Sequence, residues 1–105
     1  MKNGMRPVHP GEILLEEFMK AAEPPINANM LAKALEVPPN RITAIIKGQR
    51  GVTGDSAVRL AVFFNTTAEF WMNLQKTYEL RLAEKALPLK MKKHIEEHRN
   101  LLVSA

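Results

Sequence analysis

The sequence predicts an all-α domain of five to six helices organised around a helix-turn-helix. Three observations carry this reading. Apolar side chains recur at helical spacing along most of the 105 residues, and no stretch reads as a strand. Residues 28–47, ANMLAKALEVPPNRITAIIK, place apolar or small side chains where two short crossing helices need them. Leu31 and Leu35 form an i, i+4 stripe, Val37 fills the turn, and Ile42 and Ile45 face back across it. Ala32 has to be small, because the second helix crosses the first at close range.

The elements follow in order. The first ten residues read as irregular, and Pro10 suits the first position of a helix running to about Ala22. Ile13, Leu14, Leu15, Phe18 and Met19 form its apolar side, with Glu12 near the positive end of its dipole. His9, just outside, reads as a cap or packing residue. Glu23-Pro24-Pro25 breaks this helix, and Asn27 caps the next, which ends near Leu35. Pro38-Pro39 opens the second helix of the motif, and Gly48 stops it after Lys47. Thr53 caps a fourth helix, with Asp55 in its first turn, and Asn65 ends it in a left-handed conformation. Thr67 caps a longer fifth helix through roughly Leu87, striped by Phe70, Trp71, Leu74, Tyr78 and Leu82. Pro88 interrupts, and residues 89–103 are weakly amphipathic and rich in Lys and Glu. The organisation expected is a helix-turn-helix domain over 1–87 and a helical extension or tail over 88–105.

Composition narrows the function. The formal charge is +4, from 15 basic and 11 acidic residues, a mild bias toward an anionic partner. Its distribution says more. Residues 26–59 carry Lys33, Arg41, Lys47, Arg50 and Arg59 against Glu36 and Asp55, a net of +3, whereas residues 1–25 net −1. The outer side of the second motif helix is Asn40, Arg41, Thr43, Ala44 and Lys47, a polar and basic face suited to a major groove. The absence of cysteine excludes disulfides and thiolate metal sites. The start lacks the apolar run of a signal peptide, and no stretch approaches the ~18 apolar residues of a membrane span, so a cytoplasmic location is expected.

With this motif second and third among five helices, the chain resembles the lambda-repressor-like (XRE-type) domains. Within them it is similar to the HigA group of antitoxins, also called virulence-associated protein I. His9-Pro10-Gly11-Glu12 with Leu14 and Leu15 opens the resemblance, followed by Leu31-Ala32-Lys33-Ala34-Leu35 and Val37-Pro38-Pro39-Asn40-Arg41-Ile42. Gly48-Gln49-Arg50-Gly51-Val52-Thr53 and Phe70-Trp71-Met72-Asn73-Leu74-Gln75 complete it before Tyr78. Two positions depart from the family pattern. Glu36 stands where glycine usually supplies a left-handed turn, at a cost of about 1 kcal/mol. Ala28 replaces a glutamine that often contacts phosphate, a role that passes to Asn27 or Asn29.

The resemblance implies an antitoxin that represses its own operon and neutralises a HigB-like, ribosome-dependent messenger-RNA endonuclease. The alternative is a stand-alone phage-type repressor without a toxin partner. In either case Asn40 is expected at an adenine edge, Arg41 at guanine or phosphate, and Thr43 and Ala44 at thymine methyls. Asn27, Asn29, Lys33, Lys47, Gln49 and Arg50 are the phosphate candidates. One module contacts few bases, so a homodimer on an inverted repeat is expected, with half-sites about 34 Å apart. Trp71, Leu74, Tyr78 and Leu82 are candidates for the dimer interface, and core packing is the competing reading for the Trp71 block. No residue identifies the toxin surface. Glu12, Glu16 and Glu17 suit a basic nuclease or simply form a solvated face.

Other signals are set aside. His94-Ile95-Glu96-Glu97-His98 matches the H-x-x-E-H zinc pattern, but it lies near the end of the chain among Lys92, Lys93 and Arg99, with no third ligand evident. No catalytic residue, metal or cofactor is expected.

Overall fold

The computed structural model describes residues 6–103, all helix and loop; the reading of residues 1–5 as irregular lies outside them. The first helix begins with an α-helical turn, α1, over Pro10–Ile13 and continues as a π-helix over Leu14–Met19. It is followed by α2 (Ala28–Leu35), α3 (Pro39–Ile46), α4 (Gly54–Phe64), α5 (Ala68–Ala86) and α6 (Leu89–Leu102).

Local chemistry sets most boundaries. Asn27 accepts a hydrogen bond from the Met30 amide at 2.8 Å, and Thr67 accepts one from Phe70 at 3.1 Å. Thr53 caps α4 through Ser56. Glu36 sits in the left-handed region at φ 58° and ψ 49°, as does Asn65 at φ 57°. Glu36 therefore bears the strain of a turn glycine would make freely, while the Val37 amide donates to Ala32 at 3.0 Å and closes the end of α2.

The first helix differs from expectation. It is wider over its second half and ends at Met19, three residues before Ala22. The Lys20 amide donates to the Leu15 carbonyl at 2.9 Å, an i+5 bond. This wider turn aligns residues five apart, so Leu14 and Met19 are both buried on one side.

The core is a single cluster. Leu14 and Met19 meet Leu31, Ala32 and Leu35 from α2, Ile42 and Ile45 from α3, Leu60 from α4 and Trp71 from α5. Around Trp71 the aromatic rings interlock: Phe18 lies 4.9 Å away and Phe70 5.1 Å away, centroid to centroid. Of the two readings of Trp71, dimer interface and core packing, its burial favours the second. The residue is 0% exposed within this chain, and its indole N–H donates to the Thr66 hydroxyl at 2.8 Å. Of the other interface candidates, Leu74 packs against the core, Tyr78 is half-buried, and Leu82 lies on the surface. No residue of α6 is buried.

Two glycines and one histidine fix the first helix against the motif. A Cβ at Gly11 would stand 1.9 Å from the Ile45 carbonyl oxygen, so only glycine allows this approach to the end of α3. His9 caps α1 by accepting the Gly11 amide on Nδ1 at 2.9 Å, and its ring meets Tyr78 edge-on at 4.8 Å. Gly48, just beyond α3, adopts φ 74° beside that ring.

Burial lowers the His9 pKa, opposed by the charge of Glu12 and a hydrogen bond with the Arg50 backbone. The folded chain thus favours the neutral ring, and protonation would turn Nδ1 from acceptor to donor against the Gly11 amide. The stability this contributes is full above the ordinary pKa of 6.5 and falls as pH drops below it. Thermal midpoints are expected to fall further between neutral and mildly acidic pH in the wild type than in His9→Asn, which keeps a capping acceptor but does not titrate.

Candidate nucleic-acid interface

Helix α3 stands on the core by one side. Ile42 and Ile45 are buried, which turns Asn40 outward and leaves Arg41, Thr43 and Ala44 half-exposed beside it. The Thr43 hydroxyl donates to the Pro39 carbonyl at 3.1 Å, so its Cγ2 methyl is the part directed away from the helix backbone. Lys47, Gln49 and Arg50 follow on the exposed loop after α3, and Asn27, Asn29 and Lys33 are exposed on and before α2. The phosphate candidates thus lie on the helix and loop bordering α3.

The loop from Gly48 to Thr53 is held from behind by a residue sequence reasoning missed. Gln75, buried on α5, accepts the Val52 amide at 2.8 Å and donates to Glu79 at 2.8 Å. A Cβ at Gly51 would approach the Gln75 amide to 2.7 Å, so the loop lies directly upon it. The signal was present: Gln75 is four residues after Trp71, a polar side chain on the core stripe.

Asp55 was also missed as more than a first-turn acid. Its carboxylate accepts from Arg41 of α3 and from the Nε of Arg59 at 3.0 Å. These two hydrogen bonds, Arg41 first, hold its pKa below the usual carboxylate range. Arg59 also donates to the Leu35 carbonyl at 2.7 Å, at the end of α2. Both helices of the motif and α4 therefore meet on one acid and its two arginines. The spacing of Asp55 and Arg59, four apart on a helix, was the available sign.

Two of the three acids on the first helix, Glu12 and Glu16, are engaged within the chain, and Glu17 is exposed. Glu12 takes a two-pronged bond from Arg6 at 2.8 and 2.9 Å, and Glu16 pairs with Lys20 at 3.0 Å. The His94 and His98 rings lie 4.3 Å apart on exposed α6. Among the described residues, no group of three His, Asp or Glu side chains is placed to hold a metal ion. No helix among them is long and apolar enough to cross a membrane.

A short helix seated by its apolar side, with a polar and basic outer face flanked by exposed basic and amide side chains, defines a helix-turn-helix DNA-binding domain. A family model described as helix-turn-helix matches residues 26–71. Virulence-associated protein I of Dichelobacter nodosus is 48% identical over 83 residues, covering 79% of this chain and 75% of its own length. The HigA-family addiction module antidote protein of Coxiella burnetii is 52% identical, with a TM-score of 0.74, over 89% of this chain and 95% of that one. Pseudomonas aeruginosa antitoxin HigA, solved with the higBA promoter, is 44% identical with a TM-score of 0.76, over 88% and 94% of the two chains. The chain belongs to the HigA family of helix-turn-helix proteins.

Proposed function

We propose that this protein is the antitoxin of a type II toxin–antitoxin pair, which represses its own operon and neutralises a HigB-like ribonuclease. The observation that carries the DNA half is the outward face of α3, anchored by Ile42 and Ile45 and bordered by basic and amide side chains. The solved relative bound to its own promoter supports carrying that role to this chain.

In this reading the protein acts by binding alone and catalyses nothing. Asn40, Arg41, Thr43 and Ala44 read base edges, while Asn27, Asn29, Lys33, Lys47, Gln49 and Arg50 hold phosphates. Residues 1–87 form the DNA-binding unit and 88–105 an appended extension. Two copies bind an inverted repeat in the cytoplasm, with Leu74, Tyr78, Leu82 and the residues that follow supplying the contact between them.

Co-expression with the neighbouring small reading frame tests the antitoxin half. The neighbour alone is expected to arrest growth, and the two chains to restore growth and purify together. A neighbour that is harmless alone and does not co-purify would leave the alternative, a repressor without a toxin.

A further inference from the structure

We propose that Asp55 determines specificity, by positioning Arg41 so that its guanidinium reads a base edge instead of binding the nearest phosphate. This inference rests on the DNA-reading role of α3 proposed above. Three observations support it.

First, Asp55 belongs to a different helix from Arg41, fourteen residues on, yet the two side chains bond directly across the α3–α4 junction. An arginine side chain is long and flexible, and an unrestrained one on a basic face goes to the strongest anion within reach. Engaging one terminal nitrogen fixes the plane of the fork, which is what a two-pronged contact with guanine requires.

Second, Asp55 is itself held. Arg59 binds the same carboxylate oxygen and anchors to the Leu35 carbonyl at 2.7 Å, so the acid is a fixed post and not a drifting surface charge. Arg41 is correspondingly the more sheltered partner, with 26% of its side chain exposed against 55% for Asp55.

Third, a carboxylate beside a phosphate-binding surface opposes binding to any duplex, since it repels every backbone alike. Its presence weakens sequence-independent affinity while the aimed arginine strengthens the correct site. The repulsion acts on both duplexes alike and cancels in the ratio of their affinities, so the aimed arginine alone widens that ratio.

The test is a binding titration of the full chain with two duplexes, its own upstream region and a scrambled sequence of equal length. Wild type, Asp55→Ala, Arg41→Ala and the double variant are compared, with thermal midpoints taken for each. Asp55→Ala is expected to bind scrambled DNA several-fold more tightly and to lose about tenfold in the ratio of the two affinities. In the Arg41→Ala background, Asp55→Ala should raise affinity for both duplexes equally and leave the ratio unmoved, because the positioned group is gone. A ratio unchanged by Asp55→Ala overturns the inference while leaving the functional reading intact. So does an equal fall in both affinities, which marks a purely structural role, or an equal loss of ratio with and without Arg41. A wild type that does not prefer its upstream region overturns the functional reading and this inference together.

Discussion

Trp71→Ala is expected to cost about 3–5 kcal/mol of folding stability, the largest loss from any single truncation in this chain. Trp71 is fully buried, and the cavity left behind would be walled by Phe18, Phe64 and Phe70, whose centroids lie 4.9, 6.3 and 5.1 Å from its own. These rings come from three separate segments, so none can fill the gap without leaving the others. The Thr66 hydroxyl would also lose the indole donor at 2.8 Å. For a domain of this size the midpoint should fall by roughly 12–40 °C, measured by calorimetry or circular dichroism. Trp71→Phe keeps most of the ring contact and should fall less. If Trp71→Ala instead folds at wild-type stability but changes the apparent mass in solution, the residue serves an interface after all.

Gly11→Ala is expected to cost about 3 kcal/mol, and here addition does the damage. The new methyl would stand 1.9 Å from the Ile45 oxygen, 2.7 Å from the Ile45 carbonyl carbon and 3.0 Å from the Ile46 Cα. All three are backbone atoms, so no rotamer change relieves the contact. The first helix and the end of α3 must part, and Lys47 and the loop behind it move with them. DNA binding should therefore fall together with stability. Gly54→Ala is the control: a Cβ there meets nothing within 4 Å, and its stability should remain within about 1 kcal/mol of wild type. Equal melting of the Gly11 and Gly54 variants would contradict the close approach.

What was legible in the sequence was local. The caps Asn27, Thr53 and Thr67 bond to amides three residues on, and the left-handed end at Asn65 depends on immediate neighbours, so each could be placed from its own segment, whereas the left-handed Glu36 was placed by the family pattern. The buried side of the motif was equally readable, since Leu31, Leu35, Ile42 and Ile45 fall on two short periodic stripes. The π-helix was not, because Leu14 with Phe18 fits an i, i+4 stripe as well as Leu14 with Met19 fits i, i+5. Only packing against the other helices chooses between them.

The rest failed for want of distance information. Arg41 and Asp55 are fourteen residues apart, Val52 and Gln75 twenty-three, and neither pairing leaves a periodic trace. Gly11 stood out only as part of the His9-Pro10-Gly11-Glu12 block of the family resemblance, while its reason for being glycine lies on a helix more than thirty residues away. The stripe through Trp71 announces burial without saying whether the same chain or a second copy supplies it; for Trp71 itself the aromatic cluster supplies it from the same chain. The candidate base-reading residues were nameable because they are what remains once the apolar side is assigned.

The outward face of α3 is the centre of this account, and amide resonances report on it most directly. An isotope-labelled sample would be titrated with a duplex from the DNA upstream of its own reading frame. The largest shifts are expected at residues 39–50, with smaller ones at Asn29 and Lys33 and none of comparable size on α6. Saturable binding that leaves the Asn40 to Lys47 signals unmoved, or no binding at all at low salt, would contradict it.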